Sequence, residues 1–138
     1  MRILLVDDHQ DTNRAMARLL SRMGYDVQTA ESMQSALATA EAARAASGAG
    51  KAKPFDLLIS DIGLPDGSGL ELMRQLVQHQ PIKGIALSGY GMEEDVRRSK
   101  EAGFYEHLTK PINFKRLEAA IRTLAAATPE LTSETAKP

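Results

Sequence analysis

The chain contains no cysteine. That absence excludes a disulfide framework, a thiolate nucleophile and a cysteine-ligated zinc site. Net charge is nearly absent too, since 17 Lys and Arg face 18 Asp and Glu and leave −1. A dedicated nucleic-acid binder needs clustered, uncompensated Lys and Arg to hold phosphates, so that class is set aside. No stretch approaches the roughly 20 apolar residues of a membrane span. The opening Ile3-Leu4-Leu5-Val6 is cut off by Asp7 and Asp8 and is too short for a signal-peptide core. The cytoplasm is the expected compartment. His9, His79 and His107 lie far apart, with no metal-ligand spacing among them.

What is present is the composition of one ordinary globular domain: 138 residues, 43% of them hydrophobic and 25% charged, enough for a single core. Short apolar runs alternate with helical patterns, which signals a parallel sheet covered on both faces. The spacing predicts strands over Arg2–Val6, Tyr25–Thr29, Asp56–Ser60, Ile82–Leu87 and Phe104–Leu108. Ile3-Leu4-Leu5-Val6 and Leu57-Leu58-Ile59 are continuous hydrophobic runs, as strands buried from two sides should be. Met16, Leu19, Leu20 and Met23 recur at helical spacing before Gly24, a natural stop. Leu70, Met73, Leu76 and Val77 repeat the pattern ahead of Pro81, and Phe114, Leu117, Ile121 and Leu124 repeat it after Asn113, an N-cap candidate. Ala36 to Ala46 predicts a long second helix, followed by a loop from Ser47 to Pro54 that is flexible by composition. Gly48-Ala49-Gly50-Lys51 within it is not a phosphate loop. It lacks the first glycine at the required spacing and a Ser or Thr after the lysine. Thr128–Pro138 is polar, without apolar period, and is expected to be a disordered terminus or a linker.

In open parallel sheets, ligands bind beyond the carboxyl ends of the strands, where strand order reverses. The first predicted strand ends in Asp7-Asp8, the third in Asp61, the fourth in Ser88 and the fifth in Thr109-Lys110-Pro111. Three carboxylates gathered in one crevice repel each other unless one holds a proton or a cation intervenes. Mg²⁺ suits such a place, because it takes oxygen ligands, one or two of them carboxylates, and keeps waters or phosphate oxygens for the rest. Lys110 adds a fixed positive charge, and Ser88 a hydroxyl that can donate to a phosphoryl oxygen. Together these groups could neutralise a phosphoryl group in flight. A carboxylate can be the nucleophile, and Asp61 is central, with acids on one side and Ser88 and Lys110 on the other. Each piece taken alone has a plainer explanation. Asp7-Asp8 would serve a following helix N-terminus, Ser88 beside Gly89 a turn, Lys110 a solvated strand end, and Asp61 a loop. The four strand ends acting together are what favour chemistry.

Over Arg2 to about Ala127 the sequence resembles the receiver domains of bacterial response regulators and hybrid histidine kinases. The resemblance is carried by Val6-Asp7-Asp8, by Ile59-Ser60-Asp61-Ile62-Gly63-Leu64-Pro65-Asp66-Gly67-Ser68-Gly69, by Ala86-Leu87-Ser88-Gly89 and by Leu108-Thr109-Lys110-Pro111. It implies an α/β, flavodoxin-like (βα)5 three-layer sandwich with parallel sheet order 2-1-3-4-5, occupying residues 1–127 and followed by the 128–138 tail. It further implies a phosphoacceptor signalling domain of a two-component phosphorelay, phosphorylated on Asp61 from a phosphohistidine donor. Such a domain is not an enzyme beyond its own phosphorylation and dephosphorylation. By the resemblance, Asp8, Asp61 and the Gly63 carbonyl ligate Mg²⁺, and Asp7 acts largely through water. Ser88 is the switch hydroxyl, and Lys110 pairs first with Asp61 and then with the phosphoryl oxygen. The Lys110-Pro111 bond is held cis, a form available essentially only before proline. The implied partners are a histidine kinase or phosphotransfer protein, and an effector or fused domain read through the face of helix 4, strand 5 and helix 5, around Gly91–Ala102 and His107. The stretch from Ser88 to Pro111 is similar to receivers attached to hybrid kinases.

Three departures from the family pattern stand out. The switch aromatic, three residues before the lysine, is replaced by His107, so the usual two switch steps are expected to be weakly coupled and open to pH; Tyr105 does not fill that slot. The connection from the second helix to the third strand is longer than usual. Gly63 and Tyr90 occupy the positions that tune dephosphorylation: Gly63 offers no side chain to orient a water, and Tyr90 would shield the acyl phosphate, so slow self-hydrolysis is expected. The competing reading is a Mg²⁺-dependent phosphatase that works through an aspartyl phosphate. It needs a second acid two residues beyond the nucleophile, where Gly63 stands. A nucleotide or flavin binder would want a Gly- or Ser/Thr-rich turn after the first strand, where Asp7-Asp8 stand.

Overall fold

The computed structural model describes residues 1–48, 55–79, 81–89 and 93–126. The elements run β1 (Arg2–Val6), α1 (Gln10–Arg22), β2 (Asp26–Ala30), α2 (Met33–Gly48), β3 (Leu57–Asp61), β4 (Gly63–Leu64), β5 (Gly67–Ser68), α3 (Gly69–His79), β6 (Lys83–Ser88), α4 (Glu93–Ala102), β7 (Glu106–Thr109) and α5 (Phe114–Ala126). The five longer strands form one parallel sheet in the order β2-β1-β3-β6-β7, which is the expected 2-1-3-4-5. The fold is flavodoxin-like.

Alternation along the central strands divides the core in two, because neighbouring side chains of a strand leave on opposite faces. Ile3 and Leu5 of β1, with Leu57 and Ile59 of β3, pack under Met16 and Leu20 of α1 and Leu117, Ile121 and Leu124 of α5. Leu4, Val6 and Leu58 face the other way, against Ala36 and Ala40 of α2 and Leu72, Met73 and Leu76 of α3. The three layers follow directly. Leu57, Leu58 and Ile59 are wholly buried, each stabilising the fold by roughly 1.5–3 kcal/mol.

Gly24 ends α1 as expected, with φ 97° and its N–H on the Ser21 carbonyl. The Asn113 side chain accepts from the Arg116 N–H at 3.1 Å, which makes it the N-cap of α5. Leu19 and Val77, expected on buried helix faces, are exposed. Four strands lie one to two residues further along than the sequence suggests, since ladder partners such as Asp61–Leu87 and Ser88–Thr109 extend the pairing. Helix α2 begins three residues before Ala36 and continues two beyond Ala46, while residues 49–54 of the expected loop lie outside the described residues, as does 128–138. The early start has a tertiary cause. Asp66, in the turn between β4 and β5, accepts from the N–H groups of Met33 at 2.7 Å and Gln34 at 2.8 Å.

Glycine at position 69 is a packing requirement. A Cβ there would stand 2.3 Å from the Asp61 carbonyl oxygen and 2.8 Å from Ser60 Oγ. The α3 N-terminus is pressed against the end of β3, with the Gly69 N–H donating to the Ile62 carbonyl at 2.7 Å. Gly69→Ala is expected to lower stability by about 2 kcal/mol, the usual cost of forcing extra volume into a tight site. Chemical denaturation checks it; a midpoint unchanged from wild type would contradict this packing.

Candidate functional site

The carboxyl ends of β1, β3, β6 and β7 supply the site. Lys110, just past β7, reaches back across the sheet so that its Nζ donates to Asp61 Oδ2 at 2.7 Å and to Asp7 Oδ2 at 3.0 Å. Asp7 is fully buried and Asp61 is 8% exposed, so these are charge-assisted bonds largely shielded from water. The other Asp7 oxygen, Oδ1, accepts from the His9 backbone N–H at 2.9 Å and lies 3.0 Å from His9 Nδ1. That same ring nitrogen is 3.2 Å from Asp8 Oδ1. Asp61 Oδ1 accepts from the Gly63 N–H at 3.3 Å. The Lys110-Pro111 bond is cis, as expected.

Below this layer, Asn13 ties strand ends together, its amide donating to the carbonyls of Asp7 at 2.7 Å and Ala30 at 3.0 Å. Ser60 Oγ donates to the Asp61 carbonyl at 2.9 Å. At the next strand end, Ser88 is buried, and its Oγ is hydrogen-bonded to His107 Nε2 at 2.9 Å. His107 sits half-buried on β7, and the contact joins the two residues at the expected switch positions. Tyr90 lies outside the described residues, as do Gly91 and Met92 of the expected output face.

Electrostatics follow from these contacts. Burial pushes the Asp7 carboxyl up, but the His9 backbone N–H, the Lys110 ammonium and the His9 ring outweigh it and hold the group below its ordinary range. Burial pulls Lys110 down, and the hydrogen bonds and charges of Asp61 and Asp7 more than reverse this, so the ammonium is held more firmly than usual. The His9 imidazole is raised by its hydrogen bond to Asp7 and then by the charges of Asp8 and Asp7. His107 is lowered by burial, with the Asp95 charge acting against it. A depressed carboxyl contributes stability that is fully present above its unfolded value of about 3.9 and is lost as the pH falls through the folded value. Asp7→Asn is therefore expected to flatten the fall in stability below about pH 4. Acid unfolding followed by circular dichroism measures this, and equal slopes in both proteins would exclude it.

The sequence-predicted residues Asp7, Asp8, Asp61 and Lys110 meet in one cluster, Gly63 borders it through its N–H, and Ser88 stands at the neighbouring strand end with His107. His9 joins them although the three histidines share no metal-ligand spacing in the sequence; its adjacency to Asp8 at a strand end is the signal that points to it. Nothing in the sequence pointed to Asn13. As a donor set, one atom each from Asp7, Asp8, His9 and Asp61 falls within 4.8 Å of the others. Closely grouped carboxylate oxygens suit a hard divalent cation. Both Asp7 oxygens are already engaged by protein donors.

The family model for the response regulator receiver domain matches residues 3–122, and the chain belongs to that family. It is a receiver domain of two-component signalling. Curated relatives include the response regulator protein PilR of Pseudomonas aeruginosa, 33% identical over 121 residues (87% of this chain, 25% of PilR), and the KDP operon transcriptional regulatory protein KdpE of Escherichia coli, 37% identical over 120 residues (87% and 49%). The chain thus spans a quarter of one relative and about half of the other. Among solved structures, the response regulator TrrA of Thermotoga maritima, in complex with Mg²⁺-BeF, is similar with a TM-score of 0.72 and 30% identity, covering 89% of this chain and 97% of that one. Receiver domains interact with histidine kinases or phosphotransfer proteins and with effector domains, and generally bind Mg²⁺ at an acidic pocket. No helix among the described residues is long and apolar enough to cross a membrane.

Proposed function

We propose that Asp61 is the phosphoacceptor of this receiver, with Lys110 and Ser88 as its catalytic partners. The observation that carries the reading is the Lys110 ammonium bridging Asp61 and Asp7 at 2.7 and 3.0 Å at the end of the sheet. In the transfer, an Asp61 carboxylate oxygen forms a bond to the phosphorus of a phosphohistidine while the N–P bond breaks. The electron pair leaves with the donor's imidazole, which takes up a proton, and an acyl phosphate remains on Asp61. Lys110 first holds the nucleophile in place and then exchanges its Asp61 contact for a phosphoryl oxygen. Ser88 leaves His107 to donate to another phosphoryl oxygen, so the Ser88–His107 bond links phosphorylation to β7. Asp8, Asp61 and the Gly63 carbonyl would hold Mg²⁺ directly and Asp7 through water, the ion supplying charge neutralisation for the phosphoryl oxygens.

Residues 1–127 form the receiver unit in this reading, and 128–138 a tail or linker. Its only catalysis is its own phosphorylation and dephosphorylation, in a cytoplasmic setting. Output passes through α4, β7 and α5 to an effector or an attached domain. The test is Mg²⁺-dependent labelling with acetyl phosphate, with the modified residue located by mass spectrometry. Label on Asp61 that requires Mg²⁺ and persists through slow self-hydrolysis is expected. Turnover of small phosphoesters, or label at another residue, would overturn the assignment.

A further inference from the structure

We propose that His9 is an additional donor of the cation site, offering its ring Nδ1 to an imidazole-preferring divalent ion such as Co²⁺ beside the carboxylates. The proposal rests on the acid cluster being a cation site and concerns its metal preference. Nδ1 stands 3.0 Å from Asp7 Oδ1 and 3.2 Å from Asp8 Oδ1, so it is shared between the two acids. Donor atoms of Asp7, Asp8, His9 and Asp61 all lie within 4.8 Å of one another. Two ligands on opposite sides of an ion with bonds of about 2.1 Å are separated by about 4.2 Å. The donor atoms therefore have to draw together to share one ion, by about 0.6 Å for a 4.8 Å pair on opposite sides of it and by more for adjacent ligands.

The ring has no competing structural task in the helix beside it. His9 is the N-cap residue of α1, yet its side chain makes no capping hydrogen bond there. The side chain is 67% exposed. Nδ1 faces carboxylate acceptors; to ligate, it gives up its proton, to Nε2 in the neutral ring or to solvent from the imidazolium. Mg²⁺ gains little from such a nitrogen, because it prefers oxygen and keeps its waters. Co²⁺ and its neighbours take imidazole readily, so a fourth, nitrogen donor raises their affinity selectively.

The alternative is that the ring only screens the acids, and the two ideas differ in sign. Removing a screening donor leaves Asp7 and Asp8 more negative and tightens the binding of every cation. Removing a ligand weakens Co²⁺ and leaves Mg²⁺ unharmed. Calorimetric titration of the chelator-treated full chain with Co²⁺ and with Mg²⁺ separates them, using wild type, His9→Ala, His9→Gln and Asp8→Asn. His9→Gln retains an N–H donor towards the acids while giving up the imidazole, which guards against an effect of hydrogen bonding alone. Both His9 variants are expected to lose about tenfold or more in Co²⁺ affinity with no loss for Mg²⁺. Co²⁺-loaded wild type should show hyperfine-shifted imidazole proton signals that vanish in both. Equal changes for the two ions, with binding still abolished by Asp8→Asn, would overturn the role of His9 and leave the cation site standing. Failure of wild type to bind either ion would overturn both.

Discussion

Asp61→Asn is expected to take up no phosphoryl group from acetyl phosphate under conditions that label the wild type, a loss of at least about 10³-fold. An amide lacks the anionic oxygen that attacks phosphorus and cannot form the acyl phosphate. The fold should survive, because asparagine has nearly the same shape and the site loses only one of its electrostatic contacts. Lys110 keeps Asp7 at 3.0 Å, and the Ser60 hydroxyl bonds to the backbone carbonyl at position 61 rather than to its side chain. Circular dichroism and thermal melting should therefore place the variant close to wild type, so a missing label reads as lost chemistry. Labelling of the variant at the wild-type rate would remove Asp61 from the mechanism.

The parts of this protein legible in its sequence are those fixed by short-range pattern. Ile3–Val6 and Leu57–Ile59 could be read as central strands because a strand covered on both faces has no polar side to alternate with. Once strand order follows, Asp7, Asp8, Asp61 and Lys110 must converge, since each ends or follows a strand of one parallel sheet. What escaped depends on contacts remote in sequence. The start of α2 is set by Asp66, more than thirty residues away, and alanine composition alone cannot announce that cap. The β4–β5 hairpin has strands of two residues each, too short for any periodicity to show. His9 reads as an isolated histidine until the turn after β1 folds its ring back onto the two acids. The exposure of Leu19 and Val77 has the same root, because helical spacing defines a face without saying how far the neighbouring layer covers it.

In the proposed function Lys110 has two roles that one substitution separates. Without metal, its ammonium is the shared counter-charge of Asp7, which is fully buried, and of Asp61, which nearly is. Lys110→Ala leaves these carboxylates facing each other, and breaking such a buried pair costs several kcal/mol. The lysine side chain is 24% exposed, so water relieves part of the cost and about 2 kcal/mol is expected. A divalent cation bound only by the folded chain should restore much of that stability, and more in the variant than in wild type, because the acids have then lost the ammonium they share. Phosphoryl transfer should not recover in step. Mg²⁺ cannot reproduce the amine at the phosphoryl oxygen, and loss of one preorganised charge is expected to slow labelling by about 10²-fold or more even in saturating Mg²⁺. Melting temperatures in chelator and in Mg²⁺, set beside the initial rate of labelling by acetyl phosphate, measure both effects on the same samples. Were stability and rate to recover together on adding Mg²⁺, Lys110 would be a structural counter-ion and its part in transfer would be withdrawn.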